Sequence, residues 1–331
     1  MRRKVAKYLL VSVLLFFMII STGLVYFFYA NDAPITKGQI SYGVTYKGDL
    51  SLDIYHPTKL VHEKSPVVLF VHGGAWIAGR KESMNTNRVN GAVNQLRDHG
   101  YTIISIEYTL ARNGKSPFPT CIADGFDAIQ WISDRADSLN LDLDYFGIMG
   151  ESAGAHIAMM NVFSNPSDFG LTHEKTALDY VVDIYGPNDL YKLYRSESLD
   201  SLMAMIKELP KPINQHLNLA NKVFGFDPEE DLEKTKTVAD LYSPVTYLKK
   251  NLPPVLIIHG NKDQIVPLDQ STSLKLLLDS LEVENEMHIL EHTNHAFIGA
   301  DDSQKSDVQD WIFNFIENQR IELRKDASII N

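Results

Sequence analysis

The chain reads as an α/β protein: a mainly parallel sheet with its central strands covered on both faces. Two observations carry that reading. From Gln39 onward, short β-rich runs alternate with amphipathic stretches of roughly 12–20 residues. Two of the runs, Val67-Val68-Leu69-Phe70-Val71 and Val255-Leu256-Ile257-Ile258-His259, are almost wholly apolar. A strand with one face in water would alternate, so these belong at the centre of the sheet.

The elements follow in order. Runs 39–46 and 50–55 do alternate, as in an antiparallel hairpin at the sheet edge. Strands are expected at 66–71 and 101–107, with a helix over 83–98 between them. A helix over 120–138 leads to a strand at 144–149, a helix over 153–164 and a strand at 179–185. Strand 254–259, helix 268–281 and strand 284–290 come next. The last helix, 304–323, places Val308, Trp311, Ile312, Phe315 and Ile316 on one face. Between Pro187 and Leu252 about 65 residues lack a convincing strand, more than an ordinary crossover needs. Leu190, Leu193, Tyr194, Leu199, Leu202 and Met203 mark a short apolar-faced helix there, ended by Pro210 and Pro212. More helix and a turn at Phe226-Asp227-Pro228 follow. Segment 187–252 is therefore read as an inserted helical lid over the carboxyl edge of the sheet.

Composition narrows the function classes. The chain has 331 residues, 44% hydrophobic and 22% charged, with one cysteine, Cys121. That excludes disordered, collagen-like and disulfide-stapled chains. The net charge of -11 lacks the clustered positive field that nucleic-acid binding needs. Residues 1–30 hold Arg2, Arg3, Lys4 and Lys7 and no acid. Removing those four from 31 basic residues leaves 27 against 42 acidic ones, or -15 for residues 31–331. Tyr8 to Tyr29 is a run of 22 uncharged residues. At about 1.5 Å per residue a helix of that length crosses a ~30 Å hydrocarbon layer. Residues 1–31 are therefore expected to be a cytoplasmic basic end and a transmembrane anchor, in the lipid bilayer through residues 8–29. Residues 32–331 would be an extracytoplasmic domain on a single-pass membrane protein. The alternative, secretion after cleavage at Phe28-Tyr29-Ala30, puts bulky Phe28 where a small residue is wanted.

The chemistry starts from Gly150-Glu151-Ser152-Ala153-Gly154. It matches G-x-S-x-G, follows a strand and precedes a helix, as a nucleophile elbow requires. A serine hydroxyl is a poor nucleophile at neutral pH and needs a base and a group to orient that base. In an elbow fold the order is Ser, acid, His. Asp263 stands in the loop leaving strand 254–259, at the carboxyl edge where open α/β sheets build sites. Asp269 could cap the following helix, Asp183 lies inside a strand, and Asp189 opens the insertion. His295, in the loop after the last strand, is the expected base, with His292 its competitor. The oxyanion donors are expected from Ala153 and from the paired-glycine loop His72-Gly73-Gly74-Ala75-Trp76. Gly73, Gly74 and Ala75 supply its backbone amides, and His72 braces the loop. Trp76 is either a wall of the acyl pocket or core. Trp76 and Glu151 are the substrate-pocket candidates.

Together these motifs resemble the α/β-hydrolase superfamily over roughly residues 40–320. More narrowly they are similar to the hormone-sensitive-lipase-like carboxylesterases and their feruloyl-esterase-like relatives. The resemblance implies an α/β-hydrolase fold with an eight-stranded, mostly parallel sheet flanked by helices. It implies a serine carboxylesterase, without cofactor or metal, that hydrolyses small to medium esters through an acyl-enzyme. The partners expected are small-molecule esters, with no oligomeric state indicated. Two departures stand out. Ala75 replaces the third glycine of the family's His-Gly-Gly-Gly. Glu107-Tyr108-Thr109-Leu110 stands where Asp-Tyr-Arg-Leu is common, which loosens placement among the subfamilies. A peptidase or amidase on the same scaffold is the alternative, since the three residues do not separate ester from amide. The large propeller or extra domain of many such peptidases has no room here. A non-catalytic surface binding module is the remaining alternative, and the retained Ser, Asp and His candidates speak against it.

Overall fold

A computed structural model describes residues 38–86, 89–112, 114–197 and 218–330. All eight expected strands are present: β1 (Ile40–Lys47), β2 (Leu50–Tyr55), β3 (Ser65–Val71), β4 (Thr102–Ile106), β5 (Leu141–Glu151), β6 (Val181–Ile184), β7 (Val255–Gly260) and β8 (Asn285–Leu290). They form one sheet in the order β1-β2-β4-β3-β5-β6-β7-β8. β1 and β2 make the expected edge hairpin, and β2 also runs antiparallel to β4. Every other pairing is parallel. This is the α/β-hydrolase architecture.

Among the described residues the helices are α1 (Asn90–Asp98), α2 (Thr120–Ser133), α3 (Ala153–Phe163), α4 (Leu190–Tyr194), α5 (Leu219–Phe224), α6 (Leu232–Leu241), α7 (Asp269–Ser280) and α8 (Asp302–Ile330). The helix expected over 83–98 is broken. A 3-10 turn spans Lys81–Thr86. α1 then starts where the first-turn Ala92 N–H donates 2.8 Å to Gln309 Oε1 of α8. A partner distant in sequence thus sets that helix start, which local periodicity does not reveal.

The sheet separates two cores because side chains alternate along a strand. Val67, Leu69 and Val71 of β3 face a cluster that includes Ile122, Phe126 and Ile129 of α2 and Ile157 and Met160 of α3. Val68 and Phe70 face the other, with Val93 and Leu96 of α1 and Val308, Ile312, Phe315 and Ile316 of α8. Both faces of β3 are therefore dry, which is why its sequence does not alternate.

Within 187–252 the described residues form α4, α5, α6 and a short 3-10 turn, and no strand. Asp189, Asn218 and Asp231 cap the three helices, each side chain accepting a backbone N–H three residues on. Leu199, Leu202, Met203, Pro210 and Pro212 lie outside the described residues, as does the expected anchor 8–29. Among the described residues, no helix is long and apolar enough to cross a membrane.

Phe70 is fully buried at the centre of the second core. Phe70→Ala is expected to cost about 3–5 kcal/mol of stability. Urea unfolding checks this, and a loss under about 1 kcal/mol would contradict the packing described.

Candidate active site

Ser152 sits between the last residue of β5 and the first of α3, at φ 51° and ψ −120°. This is a left-handed conformation that a serine adopts only under constraint, at a cost of about 1–3 kcal/mol. Its N–H donates 2.9 Å to the Ile184 carbonyl at the end of β6, and its carbonyl accepts 3.1 Å from His156 N–H. The flanking glycines answer a second constraint. A Cβ on Gly154 would lie 2.1 Å from the Val71 carbonyl oxygen of β3, and one on Gly150 would lie 2.4 Å from the Gly154 carbonyl. Helix, strand and turn can approach this closely only with hydrogen at both positions.

Ser152 Oγ lies 3.1 Å from His295 Nε2. His295 Nδ1 lies 2.7 Å from Asp263 Oδ2. The carboxylate fixes the proton on Nδ1, so Nε2 is left to accept the Ser152 hydroxyl proton. Asp263 Oδ1 accepts the N–H groups of Ile265 (2.8 Å) and Val266 (2.9 Å). Burial by itself would raise the Asp263 pKa. Hydrogen bonds from His259 and His295 outweigh it and hold the carboxyl well below the usual range. The competing residues are engaged elsewhere. Asp269 pairs with Lys192 and Asp189 caps α4. Asp183 is buried in β6, accepting Gly186 N–H, and His292 lies on the exposed side of its loop, its N–H donating to Asn261 Oδ1.

The loop after β3 faces this group. Gly74 (φ 126°), Ala75 (φ 52°) and Trp76 (φ 57°) all have positive φ. A Cβ on Gly74 would lie 2.1 Å from the Ala78 carbonyl oxygen, so that glycine is obligatory. Ala75 bears some strain that a glycine would avoid. The Ala153 N–H, at the first turn of α3, has no acceptor within its helix. Beneath the loop, His72 is buried, and its Nδ1–H donates 2.7 Å to the Gly73 carbonyl. Its ring stacks on Tyr108 at 4.3 Å, and Tyr108 Oη donates to the His72 carbonyl at 2.9 Å. Burial pushes the His72 pKa down to about 4, so the brace is neutral at pH 7. Tyr108 was not expected at the site. Its only sequence signal is its place in Glu107-Tyr108-Thr109-Leu110.

An open-mouthed apolar cavity begins at Ser152. It is lined by Ala75, Trp76, Ile265 and Val266, together with Leu190, Leu193 and Tyr194 of α4 and Leu219, Val223 and Phe224 of α5. Trp76 is therefore both pocket wall and nearly buried, packed edge-on against Phe118 and His156. Glu151 corrects the expectation of a pocket residue. It ends β5, is only 3% exposed and is absent from the cavity lining; its carboxylate accepts the Tyr185 hydroxyl. Among the described residues, no cluster of His, Cys, Asp and Glu could hold a metal.

Comparison with known proteins agrees with this architecture. The BD-FAE family model matches residues 52–278, and the chain belongs to that family. The esterase LipC of Mycobacterium tuberculosis is 25% identical over 67% of this chain and 50% of its own length. The probable carboxylic ester hydrolase LipM of the same organism is 26% identical over 81% of this chain and 57% of its own. The chain thus spans about half the length of these relatives. Among solved structures, an inhibited esterase B from Lactobacillus rhamnosis superposes with a TM-score of 0.70 at 19% identity, covering 97% of this chain and 99% of that one. A truncated carbohydrate esterase from gut microbiota gives 0.67 at 22% identity, covering 87% and 99%. At these identities the likeness is one of fold.

His156, under Trp76, donates Nε2–H 2.6 Å to the Tyr242 carbonyl and is fully buried. Burial lowers its pKa to about 4. The unfolded chain takes up this proton first, so the buried ring subtracts stability as pH falls from about 6.5 toward about 4. Buried Asp183, raised to about 7, opposes this trend. The His156 share is isolated by His156→Gln. Relative to that variant, the wild type should lose up to about 1.4 kcal/mol per pH unit across the window. Urea unfolding at pH 7 and 5 measures it; parallel stability curves would contradict it.

Proposed function

We propose that this BD-FAE family member is a serine carboxylesterase for small to medium esters. The observation that carries the reading is the unbroken hydrogen-bonded chain Ser152–His295–Asp263 at the mouth of an apolar cavity. The names of the relatives, esterase and carboxylic ester hydrolase, support the same reaction class.

In the proposed mechanism Ser152 Oγ attacks the ester carbonyl carbon while His295 Nε2 takes the hydroxyl proton. Asp263 holds the ring and stabilises the imidazolium that forms. The carbonyl oxygen gains a negative charge, met by the N–H of Ala153 and those of the Gly73-Gly74-Ala75 loop. Each such donor is worth about 2.7–4 kcal/mol of barrier. The carbon–oxygen bond to the alcohol then breaks, and His295 returns the proton to the departing oxygen. Water, deprotonated by His295, attacks the acyl carbon; the bond to Ser152 Oγ then breaks, His295 returns the proton to Oγ, and the acid is released. No step calls for a cofactor.

The acyl chain is assigned to the cavity, because Leu190, Leu193, Leu219, Val223 and Phe224 offer it no polar group. The domain is assigned to the outer side of the cell membrane, on an anchor over residues 8–29. The uncharged run after four basic residues supports this.

Two experiments test the reading. An acyl-length series of nitrophenyl esters should show an optimum among small to medium chains. Ser152→Ala should lower kcat by about 10,000-fold or more and abolish fluorophosphonate labelling. Labelling that persists in the variant would refute the assignment of Ser152. Separately, in intact cells added protease should degrade the catalytic domain, and carbonate washing should leave the full chain in the membrane. A protected or washed-off domain would refute the topology.

A further inference from the structure

His259 plays no part in the steps above, yet it touches their machinery. It lies near the end of β7, wholly buried. Its Nε2 is 3.2 Å from Asp263 Oδ2, the oxygen that also accepts from His295. The same Nε2 is 2.8 Å from the Val266 carbonyl oxygen. Two acceptors at Nε2 place the proton there, so at Nδ1 the ring accepts from Ser271 Oγ of α7, 2.7 Å away. Both nitrogens are engaged, and the ring cannot turn from the carboxylate without losing buried hydrogen bonds.

We infer that His259 is a positioning residue for Asp263, a second imidazole that shares Oδ2 with His295 and pins the turn from Asp263 to Val266. The inference rests on the Ser152–His295–Asp263 reading. With Ile265 N–H and Val266 N–H on Oδ1, the carboxylate faces four protein donors. Its orientation toward His295 is set from behind. Its charge is divided as well. Without His259, Oδ2 would act on His295 alone and favour the imidazolium more strongly. The other titratable groups on this network are Asp183 of β6, whose charge acts on His259, and Tyr185 with Glu151. The Tyr185 ring packs on His295 at 4.8 Å and its hydroxyl bonds Glu151. The hydrogen bonds of Asp183 and Glu151 go to Gly186 and Tyr185, not to Asp263.

The test compares full-length wild type with His259→Phe, His259→Gln and Ser271→Ala, on a nitrophenyl ester from pH 5 to 9. His259→Phe keeps a ring but removes the donor. It should lower kcat about tenfold or more, change KM less than about threefold, and move the acidic limb up by about 0.5 pH unit or more. His259→Gln keeps a donor near the Nε2 position and should restore most of kcat and return the limb. Ser271→Ala should shift the limb the same way by less. An unmoved limb in His259→Phe, or a loss of kcat that glutamine does not rescue, overturns the inference. If His259→Phe does not fold, Ser271→Ala decides, and an unmoved limb there overturns it. Fluorophosphonate labelling of the wild type runs alongside. Absent labelling defeats the reading of the site, whereas a labelled wild type with an unmoved limb defeats only the role of His259.

Discussion

The rest of the site depends on one close approach: the backbone of α3 against the carbonyl end of β3. A Cβ on helix residue 154 would lie 2.1 Å from the Val71 carbonyl oxygen of β3, so the two backbones can meet only because that residue is glycine. That contact drives Ser152 into its left-handed turn and brings the loop after β3 alongside it. The sheet holds the strained residue through the Ile184 carbonyl of β6. Three neighbouring strands, β3, β5 and β6, thus meet at one backbone position. β7 and β8 add the loops that deliver Asp263 and His295, so the polar chain crosses the sheet edge in strand order.

Around that chain, burial sorts the histidines by use. His72 and His156 are buried against backbone carbonyls and held neutral, their pKa values pushed down to about 4. They act as wedges of fixed shape, one under the loop that follows β3 and one behind Trp76. His295 instead sits on a carboxylate that its donors keep ionised. The difference lies in the partner, since a carbonyl oxygen offers an imidazolium much less than a full negative charge.

The strands, the elbow and the order of the polar residues were legible because each leaves a local mark. A doubly buried strand shows as an apolar run, and Gly150 and Gly154 mark the close approach. Asp263 and His295 follow strands that are themselves plain. What stayed hidden depends on partners far along the chain. The start of α1 is set by Gln309, and the direction of Glu151 by Tyr185. Sequence pattern shows that residue 151 adjoins the nucleophile but not which way its side chain turns. Likewise, His259 stands four residues before Asp263 in a plain strand, and only the folded structure brings its nitrogens to Ser271 of α7 and the Val266 carbonyl.

The lining of the cavity comes from different stretches of chain. Ala75, Trp76, Ile265 and Val266 sit on loops that also carry or adjoin the reacting groups, whereas α4 and α5 belong to the insertion between β6 and β7. A change of the Leu193 side chain alters the lining of the chamber from the insertion alone. Under the proposed reaction, substitutions in the insertion can therefore change which acid is accepted while Ser152, His295 and Asp263 keep their places.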